Sequence, residues 1–259
     1  MSGIKVHPSA IVDPHAELGN NVEIGPFSII ERNVKLGDGT IVGMHCLITG
    51  HTSIGKKNQF FSGAIIGSDP QDLKFRGETT YTEIGDENIF REYVTVNSGT
   101  GEGTKTIIGN HNLIMTQCHI AHNCILGDHV KLANVATLAG HVQIQDYATV
   151  GGLTPIHQYV RLGSYSMVGG GFRVTQDIAP YVLTGGEPLA NYGLNQVGLA
   201  RAGFTKETIQ LLKKAYRIIF RSKLSLQEAV LSVQQNLEQT TEIKNLIDFL
   251  TTSTRGFIR

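Results

Sequence analysis

The feature that most constrains this chain is a period of six. Val6, Val12, Leu18, Ile24, Ile30, Leu36, Val42, Ile48, Ile54, Phe60 and Ile66 follow one another at that spacing without a polar exception. The phase returns at Ile84, Phe90 and Val96, and again from Ile108 through Val174. An α-helix of 3.6 residues per turn cannot hold such a series on one face, whereas a repeated short strand plus corner can. Four residues after each large position stands a small one, as at Ala10, Ala16, Ser28, Thr40, Ala64, Ala136, Ala148 and Thr154. Both columns are expected to point inward. Gly19, Gly25, Gly37, Gly55, Gly127 and Gly163 come directly after a large residue, and the expectation is that each supplies unusual dihedrals to a tight corner.

Composition removes several function classes. Twenty-two basic and 22 acidic residues give a formal charge of zero, so no global field favours nucleic acid or an anionic membrane. No stretch approaches the ~20 apolar residues of a membrane helix. The start Met-Ser-Gly-Ile-Lys lacks the apolar core of a signal peptide, so the expected location is cytoplasmic. Cys46, Cys118 and Cys124 all fall in the small inward column, which reads as buried small hydrophobes with no chemistry assigned.

The hexads closely resemble the hexapeptide acyltransferases, whose fold is a left-handed parallel β-helix with three hexads to each 18-residue triangular coil. The resemblance implies that fold for residues 1–184, with function on the outer wall, on loops or between subunits. Two interruptions, near 68–83 and 98–106, are expected to project as loops. The first carries Pro70, Gln71, Asp72, Leu73 and Lys74, polar enough to close over a site. Past residue 180 helical spacing takes over. Ile209, Leu212, Tyr216, Ile219 and Phe220 fit one apolar face, Ser225 with Glu228 forms a capping box, and a further helix covers Glu242 to Thr251. A small helical domain is therefore expected over 185–259, after a linker at Gly185 to Pro188. Lys206, Lys213, Lys214, Arg217, Arg221 and Lys223 make its first helix basic, either a solvated face or a surface for an acidic protein.

In an 18-residue coil, hexads 120, 138 and 156 stack in register ~4.8 Å apart. His122 then lies below Gly140 and Gln158, Asn123 below His141 and Tyr159, and Ala121 below Ala139 and His157, with His119 just before them. His7, His15, His45, His51, His111 and His129 are expected on the surface. A neutral imidazole can take a proton from a sugar hydroxyl. A glycine one coil above it lets a backbone N–H approach a developing oxyanion. No serine or cysteine shares the strip, so direct transfer is the simpler mechanism.

Pro-Gln-Asp-Leu-Lys at 70–74, His-Ile-Ala-His at 119–122, Leu-Ala-Gly-His at 138–141, Ile-His-Gln-Tyr at 156–159 and the closing Ser-Thr-Arg-Gly at 253–256 make the resemblance specific. Over nearly the full chain it is similar to the bacterial UDP-N-acetylglucosamine acyltransferases that begin lipid A synthesis. That resemblance implies His122 as general base for the sugar 3-hydroxyl and Gly140 as oxyanion donor, with Asn123 beside the base. It implies Asp72 and His141 on the sugar, and Gln71, Lys74, His119, His157 and Gln158 on donor or nucleotide. Asn195 and Arg201 match a nucleotide-binding segment, and Met167 and Gly170 an acyl-chain pocket. It further implies a homotrimer with active sites between subunits, a (R)-3-hydroxyacyl-acyl carrier protein as donor, and neither metal nor cofactor.

Several residues depart from that pattern. Asn123 stands where the family often has aspartate, and an amide can orient an imidazole without stabilising imidazolium by charge. Asn97 replaces a histidine, Val197 an acidic residue and Ala202 an arginine. Gly169, Gly170 and Gly171 are expected to leave a wall open, implying a longer acyl chain. The rivals are another hexapeptide acyltransferase, a zinc-dependent carbonic anhydrase of the same fold with three histidines contributed across subunits, and a non-catalytic scaffold.

Overall fold

The computed structural model describes residues 3–259. Among them the hexads wind into a three-sided parallel β-helix whose sides are sheets of eleven, eight and eight strands. Face A begins with Lys5–Val6, face B with Ile11–Val12 and face C with Glu17–Leu18. Strands 18 residues apart pair in register, so Ile114, Leu132, Val150 and Val168 form one inward stack on face A. All four are fully buried, and each such side chain contributes about 1.5–3 kcal/mol relative to exposure. The small inward column holds as well. Ser28, Thr40, Ala64, Ala136, Ala148 and Thr154 are completely inaccessible, while Ala10 and Ala16, near the open end of the stack, are half-buried. The three cysteines are buried thiols, and burial pushes Cys118 up to about 11 and Cys124 up to about 12, which leaves both inert at neutral pH.

Both interruptions leave the register intact. Phe60 pairs with Phe90 thirty residues on, and Val96 with Ile120 twenty-four on. The extra residues are thrown outward between Ser68 and Tyr81 and between Asn97 and Lys105. A buried asparagine ladder ties the affected coils together: the Asn88 N–H donates to Asn58 Oδ1 and the Asn112 N–H to Asn88 Oδ1, both at 2.9 Å.

The corner glycines have a different cause from the expected one. Gly19, Gly25, Gly37, Gly55, Gly127 and Gly163 all have ordinary negative φ. What they supply is clearance: a Cβ on Gly37 would stand 2.5 Å from the Gly55 carbonyl carbon, and one on Gly163 2.3 Å from the Pro180 nitrogen. The left-handed residue of each corner comes two positions later and is usually not glycine. Asn123, His141 and Tyr159 hold φ of 58°, 62° and 64° at the corner between faces B and C. His111, His129, Tyr147 and Tyr165 occupy the same position between faces C and A.

The far end is capped. Val182–Gly185 and Ala190–Leu194 form an antiparallel hairpin that extends face A beside Met167–Val168, so the Gly185–Pro188 stretch expected as a linker is the turn of that hairpin. Four helices follow: α1 (Gln196–Arg201), α2 (Lys206–Arg221), α3 (Leu226–Asn236) and α4 (Thr241–Thr251). The short α1 is an element that spacing did not reveal. Helix α2 buries Leu212, Tyr216, Ile219 and Phe220, and α3 carries the Ser225–Glu228 capping box. Arg161 on face C docks α4, its Nη2 donating to the Phe249 carbonyl (2.9 Å) and its guanidinium lying 4.5 Å from the Phe249 ring centre. No described helix is long and apolar enough to cross a membrane.

Candidate active site

Register places the site residues on the B–C corner. His119, Thr137 and Pro155 are consecutive outward residues of face B, and His122, Gly140 and Gln158 follow two positions after the inward residues Ile120, Leu138 and Ile156. The His141 N–H donates to the His122 carbonyl (3.0 Å) and the Tyr159 N–H to the Gly140 carbonyl (3.1 Å), stacking the corners. Gly140 is buried against His122, since a Cβ there would stand 2.5 Å from His122 Cε1 and 2.6 Å from Nε2. Among the described residues, nothing in the chain accepts from the Gly140 N–H.

The tautomer of His122 follows from its neighbours. Asn123 Oδ1 accepts the Thr100 backbone N–H (2.9 Å), and a backbone N–H can only donate, so that atom is the amide oxygen. The same oxygen lies 2.8 Å from His122 Nδ1. Nδ1 therefore carries the proton and Nε2 presents a lone pair. Asn123 does orient the imidazole, and the second inserted loop, through Thr100, holds Asn123.

The first loop brings Asp72 over the ring, with Oδ2 3.8 Å from His122 Nε2. Its other oxygen accepts the Lys74 N–H (2.9 Å), which fixes the turn. At the loop's base, Asn97 Nδ2 donates to Ser68 Oγ (3.0 Å) and to the Asp69 carbonyl (2.9 Å). The Gly101 N–H donates to Glu78 Oε1 (2.9 Å), joining one loop to the other. Gln71 and Lys74 are exposed on the same loop.

His141 meets His122 edge-on at 5.2 Å and stacks on Tyr159 at 4.6 Å. Burial, then the His122 charge, pushes His141 below its ordinary value, with Asp72 opposing. His119 is pushed down mainly by burial and sits 2.8 Å from Thr95 Oγ1. One coil up, His157 Nδ1 is 2.9 Å from Arg255 Nη2, and Gln158 is exposed.

Asn195 and Arg201 are not brought to this corner. Asn195 caps α1 by accepting the Gly198 N–H (3.1 Å) and donates to the Tyr165 carbonyl (3.0 Å), which lies on the C–A corner. Arg201 is exposed in the last turn of α1. Met167 pairs on face A with Thr149 and Leu183. Of the three glycines beyond it, only Gly171 would leave an added Cβ with nothing within 4 Å; a Cβ on Gly170 would stand 3.0 Å from the Gly152 carbonyl oxygen and one on Gly169 3.0 Å from the Phe172 ring. Sequence reasoning gave Thr100 no role and met Arg255 only inside the closing Ser-Thr-Arg-Gly stretch, because their contacts to Asn123 and His157, 23 and 98 residues away, leave no local pattern.

The repeat and the B–C corner together define a hexapeptide-repeat transferase, and the bacterial transferase hexapeptide model matches residues 15–50 and 105–140. A second model, UDP-N-acetylglucosamine O-acyltransferase domain 2, matches residues 177–258. An acyl-[acyl-carrier-protein]–UDP-N-acetylglucosamine O-acyltransferase of Syntrophobacter fumaroxidans is 48% identical over 259 residues, covering 99% of this chain and 100% of its own. The enzyme of the same name from Thermodesulfovibrio yellowstonii is also 48% identical, over 98% of this chain and 99% of its own. Among solved structures, the UDP-N-acetylglucosamine acyltransferase of Bacteroides fragilis superposes with a TM-score of 0.95 at 42% identity, covering 98% of this chain and 99% of that one. The Campylobacter jejuni enzyme gives 0.92 at 38%, with the same coverage. The chain belongs to the acyl-[acyl-carrier-protein]–UDP-N-acetylglucosamine O-acyltransferase family and is an acyltransferase.

Proposed function

We propose that this protein moves a (R)-3-hydroxyacyl group from acyl carrier protein to the 3-hydroxyl of UDP-N-acetylglucosamine, the opening step of lipid A synthesis, in the cytoplasm. The observation that carries the reading is a lone pair on His122 Nε2 with the Gly140 backbone pressed against the same ring. Nε2 takes the hydroxyl proton as the sugar oxygen attacks the thioester carbonyl. The Gly140 N–H, without an acceptor of its own among the described residues, donates to the oxyanion that forms. Collapse breaks the C–S bond, and the imidazolium returns its proton to the departing thiolate. Asp72, 3.8 Å from Nε2, holds the sugar with His141 and offsets the imidazolium charge that the neutral Asn123 cannot.

Gln71, Lys74, His119, His157 and Gln158 surround this pair as contacts for donor and nucleotide. Asn195 sits by a different corner of the prism, with Arg201 exposed on the short helix that it caps, which supports a homotrimer in which a neighbouring copy completes each site. Met167 and Gly170 lie toward the capped end and would line the acyl chain. The exposed Lys206, Lys214, Arg217 and Lys223 leave a basic surface suited to an acidic carrier protein, whereas Arg221 is engaged with the Asn191 carbonyl. Purified protein incubated with UDP-N-acetylglucosamine and a panel of 3-hydroxyacyl carrier proteins should yield an acylated sugar nucleotide by mass spectrometry, and His122→Ala should not. No product from any donor would refute the proposal.

A further inference from the structure

His157 stands at the same corner as His122 but is held by a different part of the chain. Its Nδ1 lies 2.9 Å from Arg255 Nη2 and 3.2 Å from the Gln158 carbonyl. These two contacts demand opposite proton placements. A guanidinium has donors only, so Nδ1 beside it must be a bare acceptor, while a carbonyl could only receive a proton from Nδ1. The shorter, charge-assisted contact prevails, because an N–H on Nδ1 would be aimed at an N–H of Arg255.

We infer that Arg255 is a positioning residue for His157, holding its imidazole as the Nε2–H tautomer. The inference rests on the proposed placement of His157 in the ligand site. The two histidines then have opposite roles: His122 presents a lone pair at Nε2, and His157 presents a proton there. His157 is equipped to donate to a carbonyl or phosphoryl oxygen and not to abstract a proton.

Arg255 is well placed for this role. Its Nε donates to the Thr175 carbonyl (3.0 Å), so the guanidinium is fixed from two sides. The segment carrying it is anchored independently at the buried Asp177: Ser253 Oγ donates to Asp177 Oδ2 (2.8 Å), the Asp177 N–H to the Gly256 carbonyl (2.9 Å), and the Ile258 N–H to the Asp177 carbonyl (3.0 Å). Removing the guanidinium therefore leaves the strap docked.

The experiment is long-range 1H–15N correlation on imidazole-labelled protein, with His157 assigned by its loss in His157→Gln. Wild type should show His157 protonated at Nε2. Arg255→Met should move the proton to Nδ1, where the Gln158 carbonyl accepts it, with an unchanged thermal melt. In acylation assays Arg255→Met should raise KM about tenfold with kcat within about twofold, the signature of lost ground-state binding. Arg255→Lys, which can still donate to Nδ1, should recover most of that loss. A wild-type His157 protonated at Nδ1, or an Arg255→Met protein that keeps both the Nε2–H signal and the KM, overturns the inference. Should wild type acylate no sugar nucleotide, the functional reading falls, while the imidazole spectrum still decides the part played by Arg255.

Discussion

The B–C and C–A corners are built from the same hexad, with the same left-handed residue in the same place, yet only one of them is equipped for chemistry. On the C–A corner a run of consecutive backbone N–H groups is consumed by side chains of the coil above. The Asp86 N–H donates to Asn110 Oδ1 (2.7 Å), that of Asn110 to Asp128 (2.7 Å), and that of Asp128 to Asp146 (2.8 Å). The aromatic stack His111, His129, Tyr147, Tyr165 continues alongside, at spacings of 4.4–4.8 Å. On the B–C corner the equivalent positions are His122, Gly140 and Gln158, and among the described residues their N–H groups have no acceptor in the chain. A buried donor without a partner costs about 1–3 kcal/mol. Of the three only Gly140 is buried, and the structure bears that cost there, at the corner that two inserted loops cover. The B–C corner thus differs from this run of the C–A corner by leaving the buried Gly140 N–H unspent beside an imidazole, on the same backbone.

The largest test of this contrast is a pair of alanines. In Gly140→Ala the backbone N–H remains but the new Cβ collides with the His122 ring and displaces the base, and kcat should fall about 10²–10³-fold. In Gly127→Ala the collision is with Asp146 Oδ1, 2.1 Å from the built Cβ, so the melting temperature should drop while kcat per folded molecule stays within about twofold. Equal kinetic effects from both would erase the distinction between the corners.

Next is Asn123→Ala, which frees His122 to change tautomer and strips the Thr100 N–H of its acceptor. One lost orienting hydrogen bond of about 1–1.5 kcal/mol corresponds to roughly a tenfold fall in kcat/KM. Asn123→Asp keeps the acceptor oxygen and should stay close to wild type. If the alanine variant turns over normally, the orienting role of Asn123 is lost.

The smallest effect concerns pH. Burial holds His119 and His141 below the ordinary value of 6.5, so on acidification the unfolded chain takes up protons that the folded chain refuses. This contribution is complete above about pH 6.5 and is lost as pH falls toward the folded-state values. Urea midpoints from roughly pH 7.5 to 5 should decline, and His119→Gln should make the decline shallower. An identical slope in the variant would show that this imidazole is not held neutral by the fold.

The contrast also explains what the sequence could reveal. Hexad phase located the coils up to Val174 and, through the coil register, set His122 beneath Gly140, because inward side chains repeat with strict chemistry. The glycines misled about their cause: Gly55 and Gly127 look like dihedral requirements in one dimension and are clearance requirements in three. The true left-handed positions were invisible because Asn, His, Tyr, Val and Leu all occupy them. Asn195 matched a nucleotide-binding segment by pattern, yet in the folded chain its amide caps α1 and grips the Tyr165 carbonyl. Arg255 joined no motif with His157, because their meeting depends on the hairpin and helices folding back over the last coil.

That return path has a consequence for the order of events during synthesis. Coils of a solenoid can add one upon another as the chain emerges, each resting on its predecessor. His122, Asn123 and Gly140 can therefore be in place early. His157 cannot receive Arg255 until 98 further residues have been made and docked. A nascent chain paused between them would carry a formed base beside an unfinished neighbour, so the ribosome completes the scaffold well before it completes the enzyme.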